Sequence, residues 1–126
     1  MTVHVDTSVL IHALTGTFAG IDALERAIAR GDELRITTLV LYEWRRGRRT
    51  EEELSLQETF FGSAAAIAFG VREADTAARL YTTVRDARHR GLDIAIAACA
   101  LEHDAALWTL NRDDFIDLPD LTLYEP

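Results

Sequence analysis

Short runs rich in β-branched residues alternate with helical patterns along the whole chain. The strand-like runs are TVHV at residues 2–5, LRIT at 34–37, AIAF at 66–69, ALWTL at 106–110 and LTLYE at 121–125. One or two helices separate consecutive runs, and strands connected in this way form a parallel sheet covered on both faces. The sequence therefore predicts a three-layer α/β/α fold with a central parallel sheet of four or five strands.

Local signals set the expected ends of the helices. Gly31 and Gly47 follow helical stretches and are expected to end them. Thr50, with Glu53 three residues later, is typical of a capping box. An apolar stripe within residues 72–91 predicts one helix that ends at Gly91, and residues 92–104 are apolar on most sides, which predicts a buried helix.

Length and composition indicate one globular domain over residues 1–126. Apolar residues make up 48% of the chain, which disfavours disorder. No uncharged apolar run approaches the roughly 20 residues that cross a bilayer, and no leader pattern follows Met1. Cys99 is the single cysteine, so no internal disulfide is possible. We expect a cytoplasmic protein that makes no membrane contact.

The basic residues are few and unevenly placed. The net charge is −8, which at first disfavours a nucleic-acid partner, and every one of the 13 basic residues is an arginine. Arg45, Arg46, Arg48 and Arg49 lie together. Such a cluster is typical either of a solvated helix end or of a surface that binds phosphates. On these residues alone the helix-end interpretation is somewhat favoured.

Four stretches place carboxylates or amides beside apolar sequence. Asp6 follows the first strand, Glu43 follows the second, and Asp93 begins the apolar helix. The segment TLNRDDF, at residues 109–115, supplies three further candidates: Asn111, Asp113 and Asp114. Each feature has an ordinary structural explanation when taken alone. Asp6 or Asp93 can cap a helix, which stabilises it by about 1 kcal/mol, and NRDD can be a turn.

The acids are harder to explain if they converge. Ligands of open parallel sheets gather at the carboxyl ends of the strands, and Asp6 lies at such an end. Two carboxylates about 4 Å apart repel each other by about 4 kcal/mol at an effective dielectric of about 20. Bound protons or a cation offset that repulsion. A site made only of oxygen ligands favours Mg²⁺ or Mn²⁺ over zinc.

The order of the motifs DTSVLI, YEWRRG, LDIAIAACAL and TLNRDDF resembles that of the PIN-domain ribonucleases. The resemblance is greatest to the VapC-type toxins of bacterial toxin–antitoxin pairs, and it covers essentially the whole chain. It implies that Asp6, Glu43 and Asp93 are metal-binding acids and that Thr7 or Ser8 is the hydroxyl residue after the first acid.

The last motif departs from the family pattern. The family's fourth acid usually stands two residues after the threonine of this motif, where this chain has Asn111. Asp114, immediately before Phe115, is the nearest substitute. We therefore expect Asn111 and Asp114 to take part in catalysis, and Asp113 remains a further candidate for the fourth ligand.

The resemblance also implies an activity and partners. It implies an endoribonuclease that requires Mg²⁺, for which Mn²⁺ can substitute, and that cuts RNA. A cognate antitoxin protein is expected to cover the acids. Homodimerisation is expected through the apolar helices of the first half of the chain.

Two alternative functions also use acids in a similar setting. An aspartyl-phosphate enzyme of the haloacid-dehalogenase type needs a second aspartate where this chain has Ser8, and it needs a lysine that the chain lacks. That function is rejected. A catalytically weak PIN-like binding module, whose acids recognise an arginine of a partner, stays open.

Overall fold

A computed structural model describes residues 1–126, which form three strands and six α-helices. The strands are β1 (Thr2–Val5), β2 (Glu33–Arg35) and β3 (Ala106–Trp108). The helices are α1 (Thr7–Leu14), α2 (Ile21–Ala29), α3 (Thr38–Arg46), α4 (Glu51–Phe60), α5 (Val71–Tyr81) and α6 (Gly91–Glu102). Short 3₁₀ turns lie at Ser63–Ala65, Ala87–His89 and Arg112–Asp114. No helix has both the length and the hydropathy that crossing a membrane requires.

The sheet is parallel and has the strand order β2-β1-β3, which places β1 at its centre. β2 therefore lies on one side of β1, and the chain then crosses over so that β3 lies on the other side. With helices on both faces, the predicted three-layer α/β/α class is confirmed. The sheet has three strands, however, rather than the four or five that the sequence predicted.

The two missing strands are reduced to single bridges at the sheet edges. Ile67 pairs with Thr37, and Leu123 pairs with Leu107. The backbone around each bridge makes only a pair of sheet-like hydrogen bonds, such as those from the Leu107 amide to Thr122 (2.8 Å) and from the Tyr124 amide to Leu107 (2.8 Å). Both segments therefore extend the sheet where the sequence predicted strands, but for too few residues to count as strands.

Helix α6 is the most deeply buried helix of the chain. Every residue from Ile94 to Ala100 is buried, and four of these seven are alanines. Small side chains let α6 lie close to α5, with which it packs, and to β3. The prediction of a buried helix is confirmed, and Asp93 lies in the first turn of α6, immediately before its buried part.

Helix α5 is shorter than predicted and buries a different face. It ends at Tyr81, not at Gly91, because the hydroxyls of Thr82 and Thr83 bond to carbonyls of its last turn and Asp86 then takes a left-handed conformation (φ 53°). Its buried residues are Glu73, Thr76 and Leu80 rather than those of the predicted apolar stripe, which were Ala74, Ala77, Ala78, Tyr81 and Val84. Thr76 donates a hydrogen bond to Glu102, so polar pairs join α5 to α6.

A larger side chain inside α6 should therefore destabilise the protein. Ala97 is fully buried, and Ala97→Leu is expected to cost about 1–3 kcal/mol because the packed interior has no space for it. Ala29→Leu, at an exposed position of α2, is the matched control and should change stability by less than about 0.5 kcal/mol. Urea unfolding of both variants measures the difference. Equal midpoints would contradict the close packing of α6.

Candidate active site

Asp6 lies where the central strand ends. Its amide donates a hydrogen bond to the Trp108 carbonyl (2.9 Å), which continues the pairing of β1 with β3 by one residue. Because β2 and β3 lie on opposite sides of β1, the crossovers diverge here and leave a crevice at the carboxyl ends of the strands. Asp6 is positioned as the N-cap of α1, but its side chain makes no capping bond. The capping explanation of this aspartate is therefore wrong.

Two hydroxyl groups hold the Asp6 carboxylate. Ser8 Oγ and Thr109 Oγ1 each donate a hydrogen bond of 2.8 Å to Asp6 Oδ2. The Ser8 oxygen accepts a bond from the Leu110 amide (3.0 Å), and the Thr109 oxygen accepts one from the Asn111 amide (3.0 Å). Both donors act on a single oxygen, so Asp6 Oδ1 is left available to a ligand.

Glu43 approaches the same crevice from α3. Thr7 Oγ1 donates a hydrogen bond of 2.8 Å to Glu43 Oε1, and Arg46 Nη2 lies 3.5 Å from Glu43 Oε2. The Glu43 side chain is 19% exposed and the Arg46 side chain is 55% exposed. The two consecutive hydroxyl residues after Asp6 thus have separate tasks, since Thr7 orients Glu43 and Ser8 orients Asp6.

Asp93 stands in the first turn of α6, three residues after Arg90, the residue at the N-cap position. An N-cap role for Asp93 is therefore wrong. The pKa of the Asp93 carboxyl is raised to about 6, first by burial and then by the negative charges of Asp6, Asp114 and Glu43, in that order. The positive charge of Arg90 opposes this rise. The candidate carboxylates therefore act on one another across a single crevice.

The segment after β3 brings one acid to Asp93. Its turn at Arg112–Asp114 is anchored by the buried Phe115, whereas Asn111, Asp113 and Asp114 are exposed. The charge of Asp114 acts on Asp93, and that of Asp113 is not among the causes of the Asp93 pKa shift. Of the two acids in this turn, Asp114 is the one that faces the site.

The donor set is suited to a hard divalent cation. All the acids that meet here offer oxygen ligands, and burial together with the charges of the neighbouring acids raises the pKa of Asp93. As they stand, no three acids are close enough together to ligate one ion directly. Mg²⁺ usually keeps several waters and takes only one or two protein carboxylates, so the acids fit an ion that is held partly through water.

Two contributors to this site were missed in the sequence. Thr109 appeared only as the start of the TLNRDDF motif, yet its hydroxyl is buried against Asp6. The position of this hydroxyl residue at the end of a strand-like run could have indicated its role in the site. Arg90 acts on Asp93 from the preceding turn, and no spacing pattern marks it.

The arginine cluster is mostly engaged within the chain. Arg45 pairs with Glu58 (3.0 Å), and Arg49 stacks 4.0 Å from the centre of the Trp44 ring. Arg46 lies near Glu43, and only Arg48 forms no ion pair or hydrogen bond. The favoured interpretation of a helix end fits these contacts, because three of the four arginines contact residues of α3 or α4.

Comparison with known proteins defines the family. The sequence model of the PIN domain matches residues 3–121. Over 120 residues the chain is 34% identical to Ribonuclease VapC19 of Mycobacterium tuberculosis, an alignment that spans 93% of this chain and 94% of the relative. The chain belongs to the PIN-domain family.

Solved structures share the fold along the whole chain. VapBC of Salmonella typhimurium bound to DNA superimposes with a TM-score of 0.75 at 18% identity, covering 98% of this chain and 97% of that one. VapBC2 of Rickettsia felis bound to promoter DNA gives 0.73 at 22% identity, with 98% of both chains covered. A toxin–antitoxin complex from Klebsiella pneumoniae gives 0.72 at 23% identity, with 98% and 99% covered.

The charge repulsion at Asp93 predicts a pH-dependent stability of the metal-free protein. Because the folded-state pKa is raised from 3.8 to about 6, Asp93 stabilises the fold only when protonated, and that contribution is lost as the pH rises through this range. Asp93→Asn should therefore be more stable than the wild type by about 1–2 kcal/mol at pH 8, after allowance for solvent screening.

Urea unfolding in a chelating buffer at several pH values measures this effect. The advantage of Asp93→Asn should disappear near pH 4. Asp75→Asn, on the exposed face of α5, is the control and should show no such gain. A constant difference between Asp93→Asn and the wild type across the pH range would contradict the electrostatic origin.

Proposed function

We propose that this PIN-domain protein is a divalent-metal-dependent endoribonuclease and the toxin of a toxin–antitoxin pair. The observation that carries the proposal is the crevice at the end of β1, where hydroxyl groups hold the carboxylates of Asp6 and Glu43 and where burial and the nearby acids raise the pKa of Asp93. The similarity to a VapC ribonuclease along nearly the whole chain supports RNA as the substrate. The proposed reaction is therefore the hydrolysis of phosphodiester bonds.

The chain's own residues orient the reacting groups. Ser8 and Thr109 fix one oxygen of Asp6 and turn the other toward the crevice, and Thr7 fixes one oxygen of Glu43 in the same way. These hydroxyls hold the acids in position before the substrate arrives, which lowers the cost of reorganisation during the reaction. Asp93, in the first turn of α6, adds a third carboxylate to the crevice.

Asp6, Glu43 and Asp93 are the residues that we propose hold Mg²⁺ or Mn²⁺. When bound, the ion supplies Lewis-acid stabilisation of the phosphate charge and a lowered pKa for water. The exposed Asn111 amide is proposed to orient water at the rim through its oxygen, and Asp114 completes the rim. Single-stranded segments are the proposed targets, because their bases and backbone are accessible to a shallow crevice.

The proposed toxin function also implies binding partners and a cellular location. Several of the matching structures are complexes described as VapBC or toxin–antitoxin, which supports an antitoxin that covers the acids of this chain. We propose a homodimer in the cytoplasm. Large apolar side chains are exposed on helices α1 to α5: Ile11, Ile28, Tyr42, Leu54, Val71 and Tyr81.

RNA cleavage is the direct test. Purified protein incubated with total RNA should produce mapped cut ends with Mg²⁺ or Mn²⁺ and none with a chelator. Mn²⁺ should also raise the melting temperature of the wild type, and Asp93→Asn should lose most of that shift together with its cleavage. Equal Mn²⁺ stabilisation of both proteins would exclude Asp93 as a ligand. Metal binding without cleavage would favour the binding-module alternative.

The segment after β3 gives a second prediction. Asn111→Ala and Asp114→Ala should each lower turnover by about 10–100-fold, the usual scale for residues that support metal ligands. Asn111→Asp should preserve activity or tighten metal binding, because it adds a charge where the family usually has an acid. Asp113→Ala is the control and should have a smaller effect, since the Asp113 charge does not act on Asp93.

These four variants are compared in one cleavage assay at saturating Mn²⁺. Full activity in both Asn111→Ala and Asp114→Ala would reduce the site to three acids and leave this segment as a simple turn.

A further inference from the structure

One arginine outside the acidic cluster joins three segments of the chain. Arg90 Nη1 donates hydrogen bonds to the Arg85 carbonyl (2.9 Å) and to Asp117 Oδ2 (2.9 Å). Arg90 Nη2 donates to the Asp114 carbonyl (2.9 Å) and to Asp117 Oδ1 (2.6 Å). The guanidinium therefore ties the turn before α6 to the segment that follows β3.

The geometry of this contact sets it apart from the other ion pairs. Arg90 grips both oxygens of the Asp117 carboxylate, and no other ion pair in the chain is bidentate. The Arg90 side chain is only 16% exposed, whereas the arginines of the other ion pairs are 34–80% exposed. A partly buried, bidentate arginine–carboxylate pair fixes orientation more strongly than a single surface contact does.

The segment that Arg90 holds is the one that carries Asp114. The Asp114 side chain accepts no hydrogen bond from the protein, so its position depends on its backbone. That backbone is fixed by the buried Phe115 on one side and by the Arg90 bond to the Asp114 carbonyl on the other. Arg90 is the N-cap residue of α6, three residues before Asp93, so its bond to the Asp114 carbonyl keeps this acid beside the start of the helix that carries Asp93.

We propose that Arg90 is a positioning residue, which holds the Asp114 side chain toward Asp93 through its bonds to Asp117 and to the Asp114 carbonyl. This inference rests on the proposed function of the acidic crevice. Arg90 itself is not a phosphate ligand, because both terminal nitrogens of its guanidinium are already bonded within the protein. The positive charge of Arg90 also acts on Asp93, so a variant that keeps this charge but loses the hydrogen bonds isolates the positioning of Asp114.

Arg90→Lys tests this role because it keeps the positive charge and removes the planar fork. We expect it to weaken Mn²⁺ binding and lower turnover by about 10-fold each. Asp117→Asn, which keeps the shape of the partner, should reproduce part of the loss. Arg72→Lys is the matched control, because Arg72 pairs with Glu102 (3.0 Å) between α5 and α6. It should leave binding and turnover unchanged.

A double-mutant cycle separates positioning from a general loss of stability. In the Asp114→Ala background, Arg90→Lys should cause no further loss of Mn²⁺ affinity or turnover, since the group it positions is gone. Additive losses in the double variant would overturn the proposal.

Amide hydrogen exchange in the metal-free protein provides a readout that needs no activity. In Arg90→Lys and Asp117→Asn, the amides of Phe115 and Leu118, which close this segment, should exchange at least several-fold faster than in the wild type. Unchanged exchange would overturn the proposed tether. An inactive wild type whose variants still show faster exchange would instead count against the ribonuclease function and retain the tether.

Discussion

The structure depends on a carboxylate buried at the end of its central strand. Asp6 is 4% exposed, and a carboxylate withdrawn this far from water is costly unless hydrogen bonds or an opposite charge compensate it. Ser8 and Thr109 supply two hydrogen bonds, and their own oxygens are held by amides of the segment after β3. Burial of one acid therefore fixes the start of α1 and the path of the chain beyond β3.

Around Asp6 the protein accepts a destabilising arrangement. Burial and the charges of Asp6, Asp114 and Glu43 raise the pKa of the Asp93 carboxyl to about 6, although the positive charge of Arg90 opposes this rise. Local violations of the rules that favour stability are expected where a protein performs chemistry. The rest of the chain compensates through ordinary packing, above all the buried alanine-rich face of α6. Within α6, the Asp93 carboxyl thus destabilises the fold, whereas the buried face of the helix stabilises it.

The sequence was most informative where one physical rule decided the outcome. Strand–helix alternation gave the parallel three-layer fold, and the strand-end rule located Asp6. The number of edge strands was overestimated. The composition of residues 66–69 and 121–125 does not distinguish a strand from a single β-bridge. The α5 prediction failed because Glu73 and Thr76 are buried through hydrogen bonds to residues of α6, which local hydrophobicity does not register.

The most direct measurement of the central claim is the position of Mn²⁺ in crystals soaked with the ion. Anomalous diffraction should give one peak in the crevice at the end of β1, with an Asp6 oxygen at about 2.1 Å and waters between the ion and other acids. Chelation should abolish that peak. A peak at another acidic surface, or none at the end of β1 under conditions that support cleavage, would contradict the account.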